Sequence, residues 1–131
     1  MKPEGPGDVP EPPEDRLRAA VESIGDHARS VNIARAAYLD KVLADIAADR
    51  VDEGEREEAT EVAHQLVGSA GTFGFAGASQ LAGELERYFV EADFTDQVRL
   101  GVARDLVSRL RAELAARPVY QPDEDERDAT S

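Results

Sequence analysis

Cysteine is absent from the 131 residues, which excludes disulfide scaffolds, thiolate zinc sites and cysteine nucleophiles together. Proline is absent between residues 14 and 117, which leaves that stretch free to form long helices. No apolar run approaches the length of a membrane span, and the opening MKPEGPGDVPEPPED lacks the apolar stretch of a signal peptide, so a cytoplasmic location is expected. Basic charge is scarce: 15 Lys and Arg against 28 Asp and Glu give a formal −13, which repels nucleic-acid backbones and anionic membranes. With only two histidines and no G-x-S-x-G turn, nucleophilic hydrolysis has no constellation to use.

The length and the 41% hydrophobic fraction suit one core. Five of the seven prolines fall in residues 1–15 beside five acids, and residues 118–131 carry five more acids and one arginine. Both stretches read as disordered acidic segments, an N-terminal Pro-rich arm and a C-terminal tail. Together they hold a net −8, which leaves −5 for residues 16–117, where 13 basic residues face 18 acidic ones.

Between 16 and 117 apolar residues recur at spacings of three and four, so the domain is expected to be all-helical. A short first helix, Asp15 to Ile24, places Leu17, Val21 and Ile24 on one face and stops at Gly25, after which Asp26 caps the next. The second, near His27 to Ala48, lines up Val31, Tyr38, Val42 and Ile46 with Leu39 and Leu43 alongside. Asp52 followed by Glu55 is a variant of the capping box and opens a third helix that runs to about Ala70. A fourth, Ser79 to Glu91, buries Leu81, Leu85 and Phe89. A fifth, Thr95 to Arg117, uses Val98, Val102, Leu106 and Leu110 with Ala103, Val107 and Leu114. The expected architecture is an antiparallel four-helix bundle with a short N-terminal covering helix.

The third of these helices has an unusual outer face. With Leu66 at the centre of its core stripe, Ala59, Val62, Ala63, Ala70 and Phe73 fall within about 60°, while His64 points about 160° away. Glu57, Thr60, Gly68 and Gly71 share that outer face with His64, and Glu61 lies close to it. Each interior glycine destabilises a helix by ~1 kcal/mol relative to alanine. One explanation is that a partner's backbone approaches the imidazole closely; the other is that Gly71 and Gly74 loosen the helix end while Gly68 permits helix packing. Glu61 and His64 form one Glu-x-x-His unit, but a di-iron bundle needs two such units, and Ile24 stands where His27 would need its glutamate.

The segment AHQLVGSAGTFGF, Ala63 to Phe75, resembles the signature of the histidine-containing phosphotransfer (HPt) domain of multistep phosphorelays, through His64, Leu66, Gly68, Ser69, Ala70, Phe73 and Gly74. The following LAGELE, Leu81 to Glu86, is similar to the family's next helix with its A-x-x-L-E ending, and the likeness spans about residues 26 to 116. It implies a four-helix bundle in which His64 accepts a phosphoryl group from a receiver-domain aspartyl phosphate and passes it to another receiver. Response-regulator receivers and a hybrid or cognate sensor histidine kinase are the implied partners, without nucleic acid or membrane, and a monomer is expected. No cofactor belongs to the chain itself, and magnesium is expected on the receiver. An ATP-binding domain has no room here, so the protein is expected to carry phosphate without kinase activity.

Val67 stands where the family most often has a lysine that steadies the phosphoryl group. Gln65 and Ser69 are then the candidates for hydrogen bonding to phosphate, and Thr60, Glu61, Val67, Gly68, Gly71 and Ile33 for receiver docking. Chemically the assignment is sound, because a water-facing imidazole is largely neutral at pH 7 and can attack through its unprotonated nitrogen. The competing reading is a helical adaptor that binds a signalling partner with the same face and uses no phosphate.

Overall fold

Four helices follow one another in an up-down order, each packed on the next, with the last returning to the first: α1 (Pro13–Ala47), α2 (Glu53–Thr72), α3 (Ala76–Glu91) and α4 (Gln97–Ala115). The structure is a computed structural model and describes residues 13–116. The expected N-terminal arm and C-terminal tail lie outside the described residues, apart from Pro13–Asp15, which form the first turn of α1. Residues facing one another show the antiparallel register: Tyr38 with Glu58 and Lys41 with Glu55 between α1 and α2, His64 with Glu86 between α2 and α3.

The all-α bundle is as expected, but the separate covering helix is not present. The chain continues as one 35-residue helix through Gly25 and Asp26. Gly25 keeps an ordinary helical conformation, since Gly74 is the one glycine with positive φ among the described residues. An interior glycine weakens a helix without ending it, and neither a turn nor a cap is required of residues 25 and 26. Leu17, Val21 and Ile24 therefore do not cover the bundle; they are 65%, 57% and 56% exposed.

Where the helices do end, the chemistry is local. Asp52 caps α2 by accepting the Glu55 N–H at 2.7 Å, as its spacing suggests. The C-terminus of α1 closes with Asp49 at φ 58°, Asp49 N–H bonded to Ile46 O and Arg50 N–H to Asp45 O, a six-residue motif that satisfies two orphan carbonyls. The C-terminus of α2 closes in the same way around Gly74 at φ 90°, with Phe75 N–H donating to Ala70 O at 2.8 Å and the Phe75 ring buried over the end of the core. Asp96 caps α4 through the Arg99 N–H.

The core is built from Leu39, Val42 and Leu43 of α1, Ala63 and Leu66 of α2, Leu85 and Phe89 of α3, and Val107, Leu110 and Leu114 of α4. On α4 the buried stripe is Leu100, Ala103, Leu106, Val107, Leu110 and Leu114. Val98 and Val102, expected inside, are 78% and 56% exposed, because Leu100 and Ala103 occupy the inward positions of the first turns. The buried side of α2 is mostly alanine (Ala59, Ala63, Ala70), so α1 and α3 can approach it closely.

Candidate functional site

α3 is fastened to α2 at both ends, and this fixes which residues meet between them. At one end Ser79 Oγ donates to Val67 O at 2.7 Å, close against Gly71, where an added Cβ would sit 3.3 Å from the Ser79 oxygen. At the other end Arg56 of α2 donates to the carbonyls of Phe89, Val90 and Ala92 and stacks on the Phe94 ring at 4.0 Å. Gly71 is thus explained by helix packing, and Gly74 by its left-handed turn.

Midway between these fastenings, His64 projects from α2 with its side chain 68% exposed. Its Nδ1 lies 3.1 Å from Oε2 of Glu86 on α3, a carboxylate only 30% exposed. A carboxylate can only accept, so Nδ1 carries the proton in this pair, and in the neutral ring the lone pair falls on Nε2. Of the two neutral tautomers, the contact with Glu86 favours the one protonated on Nδ1, on a side chain that is mostly exposed.

Around the ring the surface is bare. Nothing lies within 4 Å of the position a Cβ would take on Gly68, which rules out helix packing as the reason for that glycine. Gly83 of α3 faces Val67, whose Cγ2 would lie 3.9 Å from an added Cβ. The register that pairs residue 64 with 86 and 71 with 79 sets Val90, 56% exposed, level with Thr60.

The other sequence candidates take varied positions. Gln65 is exposed beside His64 and donates to Glu61 at 3.3 Å. Ser69 is turned inward, where its Oγ accepts from the buried Asn32 amide at 3.0 Å, and Asn32 accepts in turn from Arg35 at 2.8 Å. Ser69 thus ties α2 to α1 and is not presented beside the imidazole. Thr60 bonds back to Arg56 O, and Val67 is half-buried between α2 and α3. Ile33 is 40% exposed on α1, with no separate first helix to cover it.

Glu86 was named in the sequence only as part of the A-x-x-L-E segment, with no role. Its partnership follows from the turn: residues 64 and 86 are equally far from Phe75, so an antiparallel pair turning there must bring them together. Gly83 and Val90 emerge from the same construction. Among the described residues no cluster of three or more histidine or acidic side chains is arranged to hold a metal ion. No described helix is long and apolar enough to cross a membrane.

The bundle thus holds one histidine outward beside an open glycine, with a carboxylate of the next helix on its Nδ1. Comparison with known families agrees: residues 15–117 match the Hpt domain, and the chain belongs to that family of phosphorelay histidine-phosphotransfer modules. No curated protein and no solved structure matches the chain.

Proposed function

We propose that His64 is the phosphoacceptor and that the protein relays a phosphoryl group from one receiver domain to another. The observation that carries this is the His64–Glu86 pair, which in the neutral ring puts the proton on Nδ1 and leaves Nε2 as the nucleophile, on a mostly exposed side chain one turn from the open Gly68. In the forward step Nε2 attacks the phosphorus of an aspartyl phosphate; the N–P bond forms, the P–O bond breaks, and the aspartate leaves as a carboxylate. No proton has to move, so no general base is required. The ring gains positive charge as it donates its lone pair, and the Glu86 carboxylate on Nδ1–H stabilises that charge. Transfer to the next receiver is the reverse reaction.

The chain itself contributes a nucleophile and a docking surface, with magnesium supplied by the receiver and no cofactor of its own. Thr60, Glu61, Val67, Gly68, Val90 and Ile33 form the receiver-facing surface, and Gln65 can turn from Glu61 to the phosphoryl group. The phosphoryl group sits mid-helix, away from the favourable N-terminal dipole and near Glu57 and Glu61, with Val67 where a cation would help. The adduct is therefore short-lived, as suits an intermediary. The setting is cytoplasmic, and the working form is a monomer between a sensor kinase with its receiver and a response regulator.

The test is to mix the protein with receivers phosphorylated by a small phosphodonor. An acid-labile phosphate should appear on the wild type and be absent from His64→Gln. Absence of transfer from every receiver in a panel, with the fold intact, would overturn the relay and leave the phosphate-independent adaptor.

A further inference from the structure

α1 outruns the bundle. The Arg29 guanidinium donates to the carbonyls of Leu114 and Ala115, 3.0 and 2.9 Å away, so α4 ends level with residue 29. Some 16 residues of α1, about 24 Å of helix, extend beyond that level. Leu17, Val21, Ile24 and Ala28 lie within about 60° of the direction of Leu39 around the helix. The protruding stripe is thus the continuation of the core-facing side of α1, in the space where α4 has stopped.

α4 ends facing this space. α4 runs antiparallel to α1, so its C-terminal end at Ala115 faces the protruding half, and the Pro118 that follows in the sequence disfavours a longer helix. Val119 and Tyr120 are the only large apolar residues from 117 to 131. Four and five residues past Ala115, they reach up to about 13 and 17 Å. Ile24 and Val21 lie about 8 and 12 Å along α1 from Arg29, and Leu17 about 18 Å. The acids Asp123 to Glu126 beyond Pro122 are not drawn to this helix, where Arg18 already pairs with Asp15, and Glu14, Glu22 and Asp26 are also acidic. Length, direction and apolar content agree on one occupant. The arm before Pro13 offers Val9 alone near enough, among prolines and acids.

We infer that the Leu17–Val21–Ile24 stripe is a docking surface for the chain's own segment Pro118–Tyr120, with Val119 and Tyr120 seated on the stripe. The segment acts as a strap that supports the protruding half of α1. This half needs support: a helix of some 15 residues with its apolar side in water is marginal alone.

The full chain, methyl-labelled and mixed with an equal amount of unlabelled chain, is examined by NMR alongside amide exchange of residues 17–25. Contacts between the Tyr120 ring and the methyls of Val21 and Ile24 within one chain are expected. The Val119→Ser/Tyr120→Ser double variant should lose them, and exchange of those amides should speed about 10-fold or more while the Phe89 core signals stay in place. Contacts found only between labelled and unlabelled chains would assign the stripe to a second copy and overturn the strap. Unchanged exchange with no Tyr120 contacts would overturn it as well.

Discussion

Gly68→Ala separates stability from function at a single methyl group. The position is helical, with nothing within 4 Å of the new Cβ, so the fold loses no contact and gains the helix propensity of alanine. The gain is about 0.5–1 kcal/mol. For a bundle of about 100 residues, that raises Tm by about 2–5 °C. The same methyl stands on the bare surface beside His64. If a receiver packs there as closely as a protein interior, one added methyl costs about 1–2 kcal/mol of overpacking. That lowers kcat/KM for phosphotransfer about 5- to 30-fold. Gly101→Ala is the matched control: it is equally open, but on α4, which does not touch α2. It should raise Tm alike and leave transfer unchanged. Thermal unfolding and single-turnover transfer from a phosphorylated receiver measure both quantities. If Gly68→Ala is stabilised and transfers at the wild-type rate, the surface over residue 68 does not meet the partner, and the argument from its bareness fails.

Glu86→Ala removes a partly exposed, charge-assisted bond to Nδ1, worth about 1 kcal/mol, so transfer should slow about 5-fold while Glu86→Gln, still able to accept, loses less; equal loss in both would deny the carboxylate its electrostatic role. Val67→Lys should lengthen the lifetime of phosphohistidine, followed as loss of acid-labile phosphate with time, and an unchanged lifetime would mean that no cation is missing at that position. Stability should peak at mildly acidic pH because two carboxyls at the α1–α2 turn pull in opposite directions. Hydrogen bonds from Glu55, Lys41 and Arg50 hold Asp45 down at about 2, so its contribution is present above the ordinary carboxylate range and fades as pH falls toward 2. Glu55 is pushed up, first by sharing a proton with Asp45 and then by desolvation, so its contribution is present when it is protonated and fades as pH rises. Urea midpoints across pH should show the maximum, and Glu55→Gln should abolish the decline on its neutral side.

Legibility in the sequence followed the range of the interaction. The Asp52 cap and the outward His64 depend on neighbours within a turn or two, and both are where periodicity and capping rules put them. Gly25 misled because a glycine marks a helix end only where the chain has to turn, and no packing partner makes it turn there. Val98 and Val102 misled because two stripes one step apart are both apolar on α4, and only the position of α3 chooses between them. Ser69 lies close to His64 along the chain, yet the buried Asn32 of α1 claims its hydroxyl. Glu86 required the register of two helices, which the turn at Phe75 contains in principle but which no local pattern displays.

The two fastenings of α3 bear on how the phosphorylated state can be read. Ser79 pins one end of the helix to the α2 backbone and Arg56 grips three carbonyls and a ring at the other, so α3 behaves as a beam clamped at both supports. A ratchet of one turn, about 5.4 Å, would break both clamps at once and carry Glu86 away from the imidazole. On the proposed relay, charging His64 would change the molecule's surface rather than its shape, and a downstream receiver would have to sense the phosphoryl group itself.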